Sequence, residues 1–109
     1  NNISGQYYIY NVLSIGRLVR KEVKNMRLFK KDNIEEFIIP KDLSIGATGM
    51  LNSLLVRTDD ELENTDLYSL SNDSRKDVAL AFRELRKKKY IIYNSLDDTY
   101  YIYVSPQKS

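Results

Sequence analysis

The stretch SRKDVALAFRELRKKKYIIYNSLDDTYYIYVS, residues 74–105, decides the fold because its hydrophobic period changes along its length. In its first half, apolar residues recur at helical spacing, at Val78, Ala81, Phe82 and Leu85. Such a stripe is typical of a helix that packs one face on a core. Ser74, with Asp73 as the alternative, is the expected N-cap, since its side chain can accept from the free N–H groups of the first turn. The pattern therefore predicts a long amphipathic helix that begins next to residue 74.

The second half of the stretch predicts a β-hairpin. YIIY (90–93) and TYYIY (99–103) are rich in β-branched and aromatic residues, and NSLDD (94–98) connects them. Successive side chains of a strand point to opposite faces. The second strand therefore turns Tyr101 and Tyr103 to one face and Tyr100 and Ile102 to the other, and we expect one of these pairs to pack on the helices.

Two further helices are predicted upstream. Ser44 is the expected N-cap of the first, whose apolar side consists of Ile45, Met50, Leu51, Leu54 and Leu55. Gly46 and Gly49, one turn apart, are expected to allow close packing of a neighbour, although each weakens a helix by roughly 1 kcal/mol relative to Ala. Residues 58–64, TDDELEN, are expected to form a solvated acidic loop. Residues 65–71 are a candidate for a short helix with Leu67 and Leu70 facing inward.

The N-terminal residues predict a strand and a basic helix. Residues 7–12 are aromatic and β-branched, as in strands. From Ile15 onward the apolar residues follow a helical stripe that ends at Met26, and residues 30–33 are expected to break the helix. The cations that lie off this stripe are Arg17, Arg20, Lys21, Lys24 and Arg27. We interpret residues 1–36 as an extension packed on a core domain of residues 37–104, followed by a tail of residues 105–109.

The composition argues against several classes of function. The chain has 109 residues, which is one domain's length, and it contains no Cys and no His. It therefore has no disulfide, no thiolate metal site and no catalytic imidazole. No apolar run approaches the roughly 20 residues that a membrane helix needs. The acids of residues 58–64 lack the ligand spacing and turn glycine of a calcium loop. We expect a cytoplasmic protein that is not an enzyme and that uses no cofactor, no metal and no membrane.

The distribution of charge points to a polyanion. The net charge is only +2, but residues 17–31 carry +6, residues 32–73 carry −8 and residues 74–89 carry +5. Basic blocks of this kind are typical of proteins that bind nucleic acids. The alternative interpretation is that they are solvated helix faces.

The order of the predicted elements is helix, short helix, tight turn, long helix and hairpin, which is the order of a winged helix-turn-helix. Residues 70–93, LSNDSRKDVALAFRELRKKKYIIY, resemble the pattern L-x-x-x-S-R-x-T-V-x-R-A-L-x-x-L-x-x-x-G-Y-I of winged-helix DNA-binding proteins. The matching positions are Ser74, Arg75, Val78, Ala81, Leu85, Tyr90 and Ile91.

The segment upstream, FIIPKDLSIGATGMLNSLLVRTDD (37–60), resembles winged-helix domains of a narrower group. These are the phage replisome-organiser, plasmid replication-initiator and DnaD-type proteins of low-GC Gram-positive bacteria. The resemblance covers about residues 37–104. It implies an α+β fold, with a three-helix core and a C-terminal hairpin wing, to which the N-terminal strand and basic helix are added.

The resemblance also implies where DNA would bind. Ser74, Arg75 and Lys76 would lie at the start of the recognition helix and face double-stranded DNA, with Ala79 and Arg83 further along it. Arg17, Arg20, Lys21 and Lys24 are a candidate second contact with the DNA backbone, because phosphate contacts supply most of the affinity of such proteins.

Three departures from the family pattern qualify this hypothesis. Ala79 and Leu80 stand where the family often has polar or basic residues, so the helix offers few donors to base edges. Lys89 replaces the usual glycine, so the helix must end differently or Lys89 must adopt a positive φ. Asp97 and Asp98 occupy the wing tip, where cations would meet phosphates.

Binding of double-stranded DNA, in phage or plasmid replication initiation or in transcriptional regulation, is the function that these features favour. The alternative is a protein-interaction or oligomerisation module that keeps the same fold. In that case the Tyr-rich strands would form a homodimer, since tyrosine is enriched at interfaces. Binding of single-stranded nucleic acid by stacking is less favoured, because Asp97 and Asp98 flank the tyrosines.

Overall fold

The structure is a computed structural model, and it describes residues 26–31 and 39–108. Within them the elements are β1 (Arg27–Lys30), α1 (Ile45–Leu55), α2 (Asp59–Leu62), a 3-10 helix (Leu67–Ser69), α3 (Arg75–Lys87), β2 (Ile91–Asn94) and β3 (Thr99–Ile102). This part of the chain therefore has an α+β fold with three α-helices and one three-stranded sheet. The strand predicted at residues 7–12 and the basic helix predicted from Ile15 lie outside the described residues.

The sheet places the C-terminal strand in its centre, with the order β1-β3-β2. β2 and β3 form the predicted antiparallel hairpin, with Tyr93 opposite Tyr100. β1 runs parallel to β3 on the other side, with Leu28 opposite Tyr100. On β3, Tyr100 and Ile102 are buried and Tyr101 is half-buried, as the alternation predicts. In the described chain, β3 therefore has a partner on both sides, and β2 is an edge.

The core lies between α1, α3 and one face of the sheet. α3 contributes the whole predicted stripe, namely Val78, Ala81, Phe82 and Leu85. α1 contributes Ala47, Leu51, Leu54 and Leu55. The ring of Phe82 meets the ring of Tyr100 edge to face, with 5.3 Å between centroids. Full burial of a side chain of this size contributes about 1.5–3 kcal/mol to the free energy of unfolding, so these two helices and β3 are the main source of stability.

Two predictions about α1 are wrong. Ile45 was expected on the apolar side, but it is 93% exposed, and Ala47 takes the buried position in the first turn. Gly46 and Gly49 were expected to admit a closely packed neighbour. In the described part of the chain, however, no atom lies within 4 Å of the position that a Cβ would occupy at either residue. No described residue therefore packs closely at the two glycines of α1.

The basic helix was expected to include Met26, and this is also wrong. Met26 and Leu28 are buried while Arg27 and Phe29 are exposed, which is the period of a strand. The Met26 N–H donates to the Thr65 carbonyl at 3.0 Å, and residues 27–30 pair with β3. These backbone hydrogen bonds to distant residues make the segment extended, although the spacing of Met26 is that of a helix.

The acidic segment of residues 58–64 was expected to be a loop, but it contains the one-turn helix α2. Thr58 caps this helix, because its hydroxyl accepts from the Glu61 N–H at 3.3 Å. Asp59, Asp60 and Glu61 fill the first turn, where the helix dipole favours negative charge. The prediction failed because the same acids that suggested solvation also favour a helix start.

Side-chain hydrogen bonds connect the start of α1 to α3. Glu84 of α3 accepts from the Ser44 backbone N–H at 2.7 Å and from the Ser44 hydroxyl at 2.8 Å. These two bonds hold the pKa of Glu84 below its usual range. Next to them, the Tyr90 hydroxyl donates to Asp42 at 3.1 Å, and burial together with this bond raises the pKa of Tyr90 to about 12. The position of α3 relative to α1 is thus fixed at this end.

Candidate nucleic-acid interface

The outward face of α3 carries a row of cations. Lys76, Leu80, Arg83 and Lys87 recur at spacings of four, three and four residues, so they lie on one side of the helix, and all four are exposed. A rise of 1.5 Å per residue separates the first and last members by about 16 Å along the axis. We call these four residues the outward face of α3. It combines three positive charges with one apolar side chain.

The start of α3 is fixed by its cap and by a cation–π contact. The Ser74 hydroxyl accepts from the Asp77 N–H at 3.1 Å, as predicted for the N-cap. The Arg75 guanidinium lies over the Tyr68 ring, 4.5 Å from its centroid. A contact of this kind contributes about 0.5–1 kcal/mol at an exposed site. Arg75 therefore remains exposed while its position is restricted by the 3-10 helix.

The sequence allowed two possibilities at the end of α3, a different termination or a positive φ at Lys89, and the structure has the second. Lys89 has φ = 71°, in the left-handed region. The Tyr90 N–H donates to the Leu85 carbonyl at 2.9 Å and the Lys89 N–H to the Arg86 carbonyl at 3.1 Å. These two bonds form a Schellman motif, which normally uses glycine at the position of Lys89. The motif turns the chain directly from α3 into β2.

The predicted DNA-binding residues divide into three groups. Ser74, Arg75, Lys76 and Arg83 are exposed on α3. Ala79 is half-buried and packs against the hydrophobic core, so its contribution to the surface is small. Arg17, Arg20, Lys21 and Lys24 lie outside the described residues. Lys87, which the prediction did not include, lies on the same side of α3 as Lys76 and Arg83, and its spacing of eleven residues from Lys76 is visible in the sequence.

The tip of the hairpin is acidic, and tyrosine hydroxyls hold its carboxylates. The Tyr93 hydroxyl donates to Asp98 at 2.8 Å, and the Tyr101 hydroxyl donates to Asp97. The bond to Asp97 raises the pKa of Tyr101. Leu96, at the tip itself, is 95% exposed. The hairpin tip therefore presents an apolar side chain next to two hydrogen-bonded carboxylates. As the sequence indicated, Asp97 and Asp98 stand where cations would meet DNA phosphates.

A groove of about 530 Å³ lies between α1, the 3-10 helix and α3. Its lining includes the apolar residues Ile45, Met50, Leu67, Leu70, Val78, Leu80 and Ala81. Asp73, Asp77 and Glu84 are the charged members of this lining. We call it the apolar groove. Because the charged groups that the described residues give it are carboxylates, it does not suit phosphate, and it differs in charge from the outward face of α3, with which it shares Leu80.

A smaller cavity of about 260 Å³ lies between β1, α2 and the hairpin tip. Its lining contains Asp59, Asp60, Glu63 and Asp97 together with Arg27. Arg27 forms an ion pair with Glu63 at 3.8 Å. In residues 26–31 and 39–108, no group of three or more Asp or Glu side chains is arranged to hold a metal ion. The same residues include no helix long and apolar enough to cross a membrane.

No protein-family model matches the chain, and no curated protein or solved structure is significantly similar to it.

Proposed function

We propose that this protein binds double-stranded DNA through a winged helix, in which α1, the segment of α2 and the 3-10 helix, and α3 form the core and β2–β3 forms the wing. α3 would lie in the major groove as the recognition helix. By sequence resemblance alone, the process that we propose is replication initiation or transcriptional regulation of a phage or plasmid. A cytoplasmic location belongs to the same proposal.

The observation that carries the proposal is the outward face of α3. Lys76 and Lys87 are about 16 Å apart along the helix axis, whereas successive phosphates of one DNA strand are about 3.4 Å apart along the duplex axis. Cations at the two ends of a helix in the major groove can therefore reach different phosphates of the flanking backbone. Arg75, which Tyr68 supports at 4.5 Å, adds a cation at the helix start. The Asp77 N–H of that turn donates to Ser74, and the N–H groups before it suit phosphate oxygens.

Phosphate contacts position a protein on DNA, whereas contacts to base edges give sequence specificity. The outward face offers cations for the former but, at Leu80, an apolar side chain where a donor would read a base. The proposal therefore includes modest sequence preference, with affinity that comes mainly from the backbone.

The test is binding of a fluorescently labelled 20-base-pair duplex at low salt. We expect the double variant Arg75→Ala/Lys76→Ala to bind at least about tenfold more weakly than the unmodified protein, since each charge-assisted bond is worth about 1.5 kcal/mol. The matched control is Lys41→Ala/Lys108→Ala, which removes the same charge from two other exposed positions. An equal loss in both variants, or no binding by the unmodified protein, would refute the proposal.

A second candidate function is self-association through the sheet, the interaction module that the Tyr-rich strands suggested. β2 is an edge strand of the described sheet, and Tyr93 on it is exposed. Exposed edges can pair with another chain. β3 is not available for such pairing, because β1 and β2 occupy both its sides. A mass that doubles with concentration in light scattering, and that Tyr93→Lys returns to the monomer value by placing a charge on the edge strand, would support this function.

A further inference from the structure

We propose that the apolar groove is a docking site for an amphipathic helix of a partner protein whose apolar stripe is flanked by lysine or arginine residues. The site goes beyond DNA binding and does not depend on it. The apolar surface, the shape and the charge of the groove each indicate a property of the partner.

The first observation is apolar surface that the described chain leaves uncovered. Ile45 is 93% exposed on one wall of the groove, and Leu80 is 48% exposed on the other. Met50 and Leu70, between them, are only partly buried. Covering an exposed isoleucine or leucine removes apolar area from water at a gain of about 25 cal/mol per Å². The groove therefore has a hydrophobic driving force for binding.

The shape of the groove favours a helix as the bound element. Its long walls are themselves helices, α1 from Ile45 to Ser53 and the first half of α3. From Ile45 to Ser53 this wall rises by eight residues, which is about 12 Å. Two turns of a bound helix therefore fit along it. No atom of the described residues lies within 4 Å of a Cβ position at Gly46 or Gly49, so these residues leave room for an axis at the usual 8–10 Å from α1. Docking of an amphipathic helix into an apolar groove is an established mode of recognition.

The charge around the groove selects the flanking residues of the partner. Among the described residues, the charged side chains of the lining are Asp73, Asp77 and Glu84, and no lysine or arginine of residues 26–31 and 39–108 belongs to it. Glu84, like an ordinary glutamate, is negatively charged at neutral pH, and its backbone and hydroxyl bonds from Ser44 lower its pKa further. These carboxylates lie on or just before α3, so they would repel an acidic flank of the partner helix and attract lysine or arginine on the flank that faces α3.

The experiment uses the full chain and two labelled helical peptides of 14 residues. Both peptides have the same leucine stripe, and one carries lysine and the other glutamate at the flanking positions. We expect the lysine peptide to bind with a micromolar Kd by fluorescence anisotropy, and the glutamate peptide to bind at least tenfold more weakly. Equal affinity for both peptides would overturn the choice of partner, and so would the absence of binding by either.

Variants then place the peptide in the groove. Ile45→Ser is expected to weaken binding of the lysine peptide about tenfold, consistent with about 1.5 kcal/mol for burial of this side chain. Leu96→Ser, at an equally exposed leucine on the hairpin tip, is expected to leave it unchanged. Asp73→Asn/Asp77→Asn is expected to weaken binding about fivefold, whereas Asp97→Asn/Asp98→Asn has no effect. Equal behaviour of the paired variants would overturn the proposal.

Two further readouts separate this proposal from the others. Ile45→Ser is expected to keep its affinity for the duplex within twofold, because Ile45 lies on α1, carries no charge and is not one of the four residues of the outward face of α3. Thermal unfolding of each variant confirms that it is folded, which is expected since Ile45 and Leu96 are almost fully exposed. If the unmodified protein forms a dimer that Ile45→Ser dissociates, the groove belongs to a second copy of the chain and the proposal is wrong.

Discussion

On α3, the residues that face the core and those that face solvent alternate within each turn, but different forces act on them. The inner face, with Phe82 and Leu85, is held by burial and close packing. The outward face, with Lys76 and Arg83, adds little to packing and keeps its charges in water. Exposed charges are stabilised by solvent and contribute little to folding, so one helix can change its binding surface without changing its fold. Each prediction below tests this separation of stability from binding.

The largest effect is expected on the inner face. Phe82→Ala removes a ring that is 2% exposed and that contacts Tyr100 edge to face. Such truncations lower the free energy of unfolding by about 3–5 kcal/mol. Urea denaturation followed by circular dichroism measures this change. The matched truncation Leu80→Ala, on the outward side of the same helix, is expected to cost less than about 1 kcal/mol; similar losses for both would contradict the assignment of faces.

The next effect concerns binding alone. Lys76→Ala/Arg83→Ala/Lys87→Ala is expected to weaken binding of a DNA duplex at least about 100-fold, since three charge-assisted contacts are lost. Its free energy of unfolding should change by no more than about 0.5 kcal/mol, as for other surface substitutions. Anisotropy titration and urea denaturation of the same sample measure both quantities. A large loss of stability in this variant would show that the two faces are not separable.

Glu84 lies at the border between the faces and gives a smaller, pH-dependent effect. Glu84→Gln weakens the bonds to Ser44, and we expect it to lower the free energy of unfolding by about 1 kcal/mol at pH 7. The effect is small because the carboxylate is partly exposed to solvent. Because the pKa of Glu84 is lowered in the folded state, this stabilisation is present above the unfolded value of about 4.5 and is lost as the pH falls through the folded pKa. Urea midpoints of both proteins from pH 7 to pH 3 should therefore converge; a constant difference would contradict the role of the charge.

The smallest effect is expected at the hairpin tip. If the wing approaches DNA, Asp97→Asn/Asp98→Asn should tighten duplex binding about twofold at low salt, because two repulsive charges are removed. The gain should disappear at about 0.5 M salt, where screening acts over only a few ångströms. Anisotropy titration at both salt concentrations measures it. Weaker binding by this variant would show that the acids help rather than oppose binding.

The sequence predicted those parts of the fold that depend on local patterns. The N-caps Ser44 and Ser74, the buried stripe of α3 and the alternation of Tyr100 and Tyr101 are confirmed. The parts it missed depend on contacts distant in the chain. The strand β1 is stabilised by pairing with β3, some 70 residues later, and this pairing leaves no helical or local signal.

The candidate interface follows the same rule. The exposure of Lys76 and Arg83 could be predicted, because they lie between the positions of the buried stripe. The half-burial of Ala79 could not be predicted, since it depends on the elements that pack beside α3. The apolar groove could not be predicted either, because its two walls come from helices about 30 residues apart and Ile45 was expected to be buried. Surfaces built from one helix were predictable, and surfaces built between helices were not.

The salt dependence of duplex binding by the unmodified protein tests the central claim most directly. With Arg75, Lys76, Arg83 and Lys87 on phosphates, the logarithm of the binding constant should fall with the logarithm of the salt concentration with a slope of about −3 to −4. That corresponds to a loss of at least about 1,000-fold in affinity per tenfold increase in salt. A slope near zero, or no binding to any duplex at the lowest salt, would contradict the proposal that the outward face of α3 binds DNA.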